Sequence, residues 1–244
     1  MSLHWETLAA RQHASAIAGI ASRLLIQVYW MLAYLARKRP ELSRRFLHLR
    51  SALQVSRQLG DASLLIALLG YQMNTFTHTR QPDRAQLLLQ EAARVEENAS
   101  PLARTVLLSS AALAYAQQGR ARETSTVFDQ LQEQQALTGE EDPLLVVIEG
   151  RPFPPEAKAY LELAQGLHAR GHPDPRLLER AWNVLIALPW GTLSLGVQVE
   201  TMIWQAQLAF AQEDLERCAV YLLQIAQEAR ALQSDRRLQE LRAS

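Results

Sequence analysis

The sequence predicts an all-α fold, and three observations carry that expectation. Strand signals are nearly absent: the one β-branched run, Val146, Val147 and Ile148, is short, while Ala, Leu, Gln, Glu and Arg dominate elsewhere. Asp or Ser stands just before a proline at Ser100-Pro101, Asp142-Pro143 and Asp174-Pro175, the grammar of a helix start. Finally, a ladder of bulky, small and aromatic residues recurs at helical spacing. It runs Leu108, Ala111, Ala112, Tyr115, Gly119, Thr124, Phe128, Leu131, and returns as Ile203, Ala206, Gln207, Phe210, Asp214, Ala219, Leu223, Ala226. Each ladder implies two helices and a tight turn, a hairpin that cannot bury both of its faces alone and therefore stacks.

Breaks at Leu59-Gly60-Asp61, Gln81-Pro82, Ser100-Pro101, Gln118-Gly119, Gly171-His172-Pro173 and Glu213-Asp214 divide the chain. They predict helices near 11–37, 41–59, 62–79, 82–97, 101–118, 121–137, 155–170, 175–188, 197–212 and 215–232, with a short tail helix after Ser234. About five hairpins result. Tyr29, Leu32, Ala33, Ala36, Leu49 and Ala52 mark the first, and Leu69, Met73, Phe76, Ala85, Leu89 and Ala92 the second. Residues 138–155 hold Glu140-Glu141-Asp142 and four prolines and read as a long connection. The ladder resumes beyond it at Tyr160, Leu163, Ala164, Leu167 and Gly171, so one domain over 1–244 is expected.

Here the chain resembles a tetratricopeptide-repeat array, whose helix-turn-helix unit carries large, small and aromatic residues on its first helix, glycine at the turn, and Ala, aromatic, Ala on its second. The third and fifth hairpins match best. The spacing exceeds 34 residues, Thr124 replaces a small Ala, and Arg80 and Pro40 stand where the turn glycine would be. The resemblance implies a right-handed α-solenoid of about five divergent hairpins plus a terminal helix. The stretches Arg57-Gln58-Leu59-Gly60-Asp61, Ser100-Pro101-Leu102, Ala114-Tyr115-Ala116-Gln117-Gln118-Gly119 and Ala229-Arg230-Ala231-Leu232-Gln233-Ser234 are similar to the carboxy-terminal repeat regions of bacterial helix-turn-helix regulators and signalling proteins. That likeness implies a regulatory role, although residues 1–40 are too short for a helix-turn-helix domain.

Charge is balanced over the molecule, so steering toward nucleic acid is not expected. The ends differ, however: residues 1–57 carry nine Arg and Lys against Glu6 and Glu41. Arg37, Lys38, Arg39, Arg44, Arg45 and Arg50 form a basic corner, read either as a docking site for an acidic partner, phosphate or nucleic acid or as a solvated helix end. Cys218 is the single cysteine, which excludes an intrachain disulfide or a cysteine zinc site and fits a cytoplasmic setting. Residues 14–36 are nearly apolar ahead of Arg37-Lys38-Arg39, as in a membrane anchor. Arg23 and Gln27 argue for a buried repeat helix instead, since a mid-span arginine costs roughly 2.5–3.5 kcal/mol on insertion scales.

No chemistry stands out. His168 and His172 are four apart, but Gly171 ends their helix; Ser109-Ser110 lacks a matching His and acid; Cys218 reads as a small packed residue. No catalysis and no cofactor are expected. If the first helix of each hairpin lines a concave side, as the resemblance implies, that side displays Gln27, Trp30, Tyr34, Arg37, Asn74, Thr77, His78, Ser109, Gln117, Lys158, Gln165, His168, Thr201, Trp204 and Gln212. Such a groove suits a peptide or protein segment, with Trp30 and Trp204 either filling pockets or packing between hairpins. The alternative is a sensor with a small-molecule pocket between hairpins. On the groove reading, Asn74→Ala with Lys158→Ala leaves melting unchanged. The first helix is too apolar for one buried face, which predicts a homodimer, or docking on a partner, through helix 11–37 with the basic corner at its rim.

Overall fold

A computed structural model describes residues 2–37, 42–137, 156–193 and 195–231. Among them the protein is all-α, with ten helices and no strand. They are α1 (Ser2–Arg37), α2 (Leu42–Leu59), α3 (Ala62–His78), α4 (Pro82–Ala92), α5 (Pro101–Gln117), α6 (Ala121–Leu137), α7 (Glu156–His168), α8 (Pro175–Ile186), α9 (Leu195–Ala211) and α10 (Leu215–Ala231). The expected tail helix, the connection at 138–155, Lys38, Arg39 and Pro40 lie outside the described residues.

Helix starts follow the expected capping chemistry. Asp61 accepts from the Leu64 amide at 3.1 Å, Ser100 from Ala103 at 3.3 Å and Asp174 from Arg176 at 3.1 Å, the last two just ahead of a proline. One boundary differs. The helix expected to reach residue 97 ends at Ala92 and continues as a 3-10 turn over Glu96–Asn98. Arg104 of α5 draws the carbonyls of Glu96 and Glu97 toward itself, at 3.0 and 2.8 Å, which ties this turn to α5.

Consecutive helices pair as α1–α2, α3–α4, α5–α6, α7–α8 and α9–α10. Four of these hairpins are closed by one turn. The amides of Gln81, Arg120, His172 and Asp214 each reach back five residues, to the carbonyls of Phe76, Tyr115, Leu167 and Ala209, at 2.9–3.0 Å. The residue before each sits in the left-handed region: Arg80 (φ 56°), Gly119 (66°), Gly171 (77°) and Glu213 (62°). This is the Schellman stop, and glycine is preferred there because a Cβ is strained. In the fifth hairpin the turn position is therefore Glu213, one residue earlier than the ladder's Asp214.

The first helices of successive hairpins lie side by side, α3 on α5 and α5 on α7, and α7 also meets α9. Close approach has a cause. A Cβ at Gly70 would stand 3.0 Å from the backbone of Leu107, and one at Gly166 would stand 3.2 Å from the Ala116 carbonyl. One core cluster reaches from Ile26 and Trp30 on α1 to Leu177 on α8, and a second joins α7 to α10 around Leu161, Leu185, Leu208 and Ile225. Tyr160 and Leu178 pack against both.

Two apolar expectations need correction. In the fifth ladder Phe210 and Leu223 are exposed, whereas Phe128 of the third is buried against Tyr160, ring centroids 5.0 Å apart. The difference is the hairpin that follows: α7 covers Phe128, and no described element lies beyond α10. The apolar first helix is also not a buried one. It contains the one stretch among the described residues long and apolar enough to cross a membrane, Ile17–Ala36, and 17% of that window is buried.

Candidate binding surface

At the α1 end the aromatic residues expected to line a groove form a box instead. The Trp30 ring stacks on Tyr34 (centroids 5.8 Å, 21° between planes) and meets the edge of Tyr71 at 5.6 Å. With that, Trp30 is 7% exposed and belongs to the core. Arg45 of α2 is buried here as well, donating from Nη2 to Asn74 Oδ1 at 3.3 Å. Trp30, Ala33, Tyr34, Arg45, Leu49 and Tyr71 line a partly open cavity of about 20 Å³, room for roughly one water.

Further along, polar residues of the same face bond across neighbouring helices. Gln117 Nε2 donates to the Thr77 carbonyl at 3.0 Å, joining α5 to α3. Lys158 Nζ reaches Gln207 Oε1 at 2.8 Å, joining α7 to α9, and Glu162 Oε1 at 3.0 Å. Arg80, projecting from the α3–α4 turn, closes on the other oxygen of Glu162. The Glu162 carboxylate is 3% exposed. Burial pushes its pKa up, but the charges of Lys158 and Arg80 outweigh burial and hold it below the ordinary range. Glu156, at the start of the same helix, has no such partner, and burial raises its pKa.

No family model, curated protein or solved structure matches this chain.

Asn74, Gln117 and Lys158 serve as clips between hairpins rather than as open groups. Trp204 is 9% exposed and Thr77 and Thr201 are buried, so the face displays none of the three. Ser109 is half-buried, its hydroxyl donating to Thr105 O at 2.7 Å. His78, Gln165, His168 and Gln212 are exposed, and Gln27 and Tyr34 are half-buried. Of the basic corner, Arg44 and Arg50 are exposed, while Arg45 is withdrawn into the core beside Trp30. An arginine turned inward cannot be told from an exposed one by spacing alone. His168 and His172 are exposed on either side of Gly171, and no group of three or more His, Cys, Asp or Glu among the described residues could hold a metal. Cys218 is buried in the second core cluster.

Sequence reasoning missed three participants. Glu162 lies between the ladder residues Tyr160 and Leu163 of α7, off the ladder's own spacing, and no local pattern marks its carboxylate as buried. Gly70 and Gly166, isolated glycines within helices, signalled close backbone approach.

Proposed function

We propose that this chain is a non-catalytic helical-repeat module that binds a protein or peptide segment. The observation that supports this reading is the recurrence of one hairpin turn four times, with α3, α5 and α7, the first helices of three successive hairpins, side by side. An array of this kind, tetratricopeptide-like in its turn and in its stacking, presents an extended face rather than a closed pocket. A solenoid course, a cytoplasmic setting and a regulatory role like that of the bacterial repeat regions it resembles belong to the same proposal. Between the first two hairpins the cavity holds about one water, too little for a metabolite, which favours protein binding over sensing at that site.

The polar side chains exposed at the turn end of the face, on His78, Gln165 and His168, are the ones placed to meet a partner. Peptides selected from a random library on the purified chain test the reading. Selected peptides should bind at least tenfold more weakly to His78→Glu/Gln165→Glu/His168→Glu, with the thermal melt unchanged. Peptides that ignore these substitutions, or no selected peptide at all, would count against it.

A further inference from the structure

Helix α1 has two faces. Ile26, Trp30, Ala33 and Ala36 pack into the core. On the opposite side Ile17, Ala21, Leu24, Val28, Met31 and Leu35 are all exposed, at intervals of four, three, four, three and four residues. That alternation is the heptad seam of a helix that packs on another helix. We propose that a second copy of this chain occupies the seam, so that the protein is a two-fold dimer whose α1 helices run antiparallel.

Area supports an interface. Ile17 is 65% exposed, Leu24 57% and Val28 53%, with Ile20, Leu25 and Leu32 flanking them. Together the exposed apolar side chains of α1 form one continuous patch, on the order of the several hundred Å² that marks an interface.

Symmetry and charge select the occupant. A two-fold axis through position 26 pairs Ile17 with Leu35, Ala21 with Met31 and Leu24 with Val28 of the other copy. One surface thus complements itself over about 27 Å, with small Ala21 opposite long Met31. Arg23 is the one charged residue in 17–35, and its guanidinium is bound to Asp61 of the same copy at 3.1 Å. The seam's flanks, Ile20, Leu25, Gln27, Leu32 and Tyr34, carry no charge. An acidic partner helix would find nothing on the seam to pair with. A helix lying in an anionic lipid surface carries Lys and Arg along its polar flanks, whereas between 17 and 35 this one carries only Arg23, already paired with Asp61.

Dimerisation through α1 does not require the peptide-binding face and is measured separately from it. Light scattering or sedimentation over a hundredfold dilution should give a dimer for the full chain. Leu24→Glu/Val28→Glu, which alters only exposed positions, should give a monomer with unchanged helicity. Trp30 is not a suitable probe, because it lies on the core face. In a Cys218→Ser background, mixing Ala21→Cys chains with Met31→Cys chains should give the mixed disulfide under mild oxidation. A strictly monomeric parent or a dimer that survives the double substitution overturns the proposal. So do disulfides only between like chains, or a monomer that binds phosphatidylcholine–phosphatidylserine vesicles through Leu24 and Val28.

Discussion

Replacing Gly70 by alanine opposes two physical effects whose signs differ. In the interior of a helix, alanine is more favourable than glycine by about 0.8–1.0 kcal/mol, so by local propensity Gly70→Ala stabilises α3. Packing reverses the sign. The new Cβ would stand 3.0 Å from Cα and N of Leu107 and from the carbonyl carbon of Val106, well inside the ~3.5–4.0 Å of ordinary carbon contact. Those atoms are backbone. They belong to α5, which is packed on α6 and α7 on its other sides, so α5 cannot retreat without opening those contacts. Overpacking of this kind costs about 1–3 kcal/mol, which leaves a net loss of about 1 kcal/mol after the propensity gain. For a domain of this size the melting temperature should fall by about 2–4 °C. Gly19→Ala on α1 is the control, because a Cβ there meets nothing within 4 Å and propensity alone acts. Calorimetric melts of both variants and the parent, at one protein concentration, decide the matter. Gly70→Ala melting at or above the parent, with Gly19→Ala raised, would refute the close-packed crossing of α3 and α5.

The remaining predictions concern the core, the clips and the turns. Ala112→Leu, at a fully buried site in α5, should cost about 1–3 kcal/mol through overpacking, measured by urea unfolding. Asn74→Ala with Lys158→Ala should lower the melting temperature, the reverse of the expectation for open groove residues, because it removes the bonds to Arg45, Glu162 and Gln207; about 0.5–1.5 kcal/mol per lost bond is expected. Glu162→Gln should cost about 1–3 kcal/mol at pH 7 by leaving Lys158 inside without its carboxylate. Since the folded pKa of Glu162 lies below the unfolded one, its contribution is full above the ordinary carboxylate range and is lost as pH falls through the folded value. The gap between parent and variant should therefore close on acidification, followed by melts from pH 7 to 3. Glu213→Gly should raise stability by up to about 1 kcal/mol in the same assay, since glycine takes a left-handed turn without the Cβ penalty.

Helix identity and the hairpin order were legible along the chain because their causes are local. A cap such as Ser100 ahead of Pro101, or a glycine such as Gly119 at a Schellman turn, acts within five residues and leaves its mark in the letters. The spare apolar face of α1 was legible for a related reason: Leu24, Ile26, Val28, Trp30 and Met31 cannot share one side of a helix with 3.6 residues per turn. Periodicity alone, however, did not say which of them face inward. The packing partners on α2 and α3 placed Ile26 and Trp30 in the core and left Leu24, Val28 and Met31 outside.

Only the tertiary structure decided the fate of the polar residues. Asn74, Gln117 and Lys158 have the spacing of a displayed face, yet each finds its hydrogen-bond partner on a helix 29–49 residues away in the chain. Arg45 and Glu162 are charged letters in helical patterns, and both are buried because Asn74 in one case, and Lys158 and Arg80 in the other, come within reach. Burial of a polar group depends on whether a partner is there to satisfy it. That is a property of how hairpins meet, and no window of sequence shorter than two hairpins contains it.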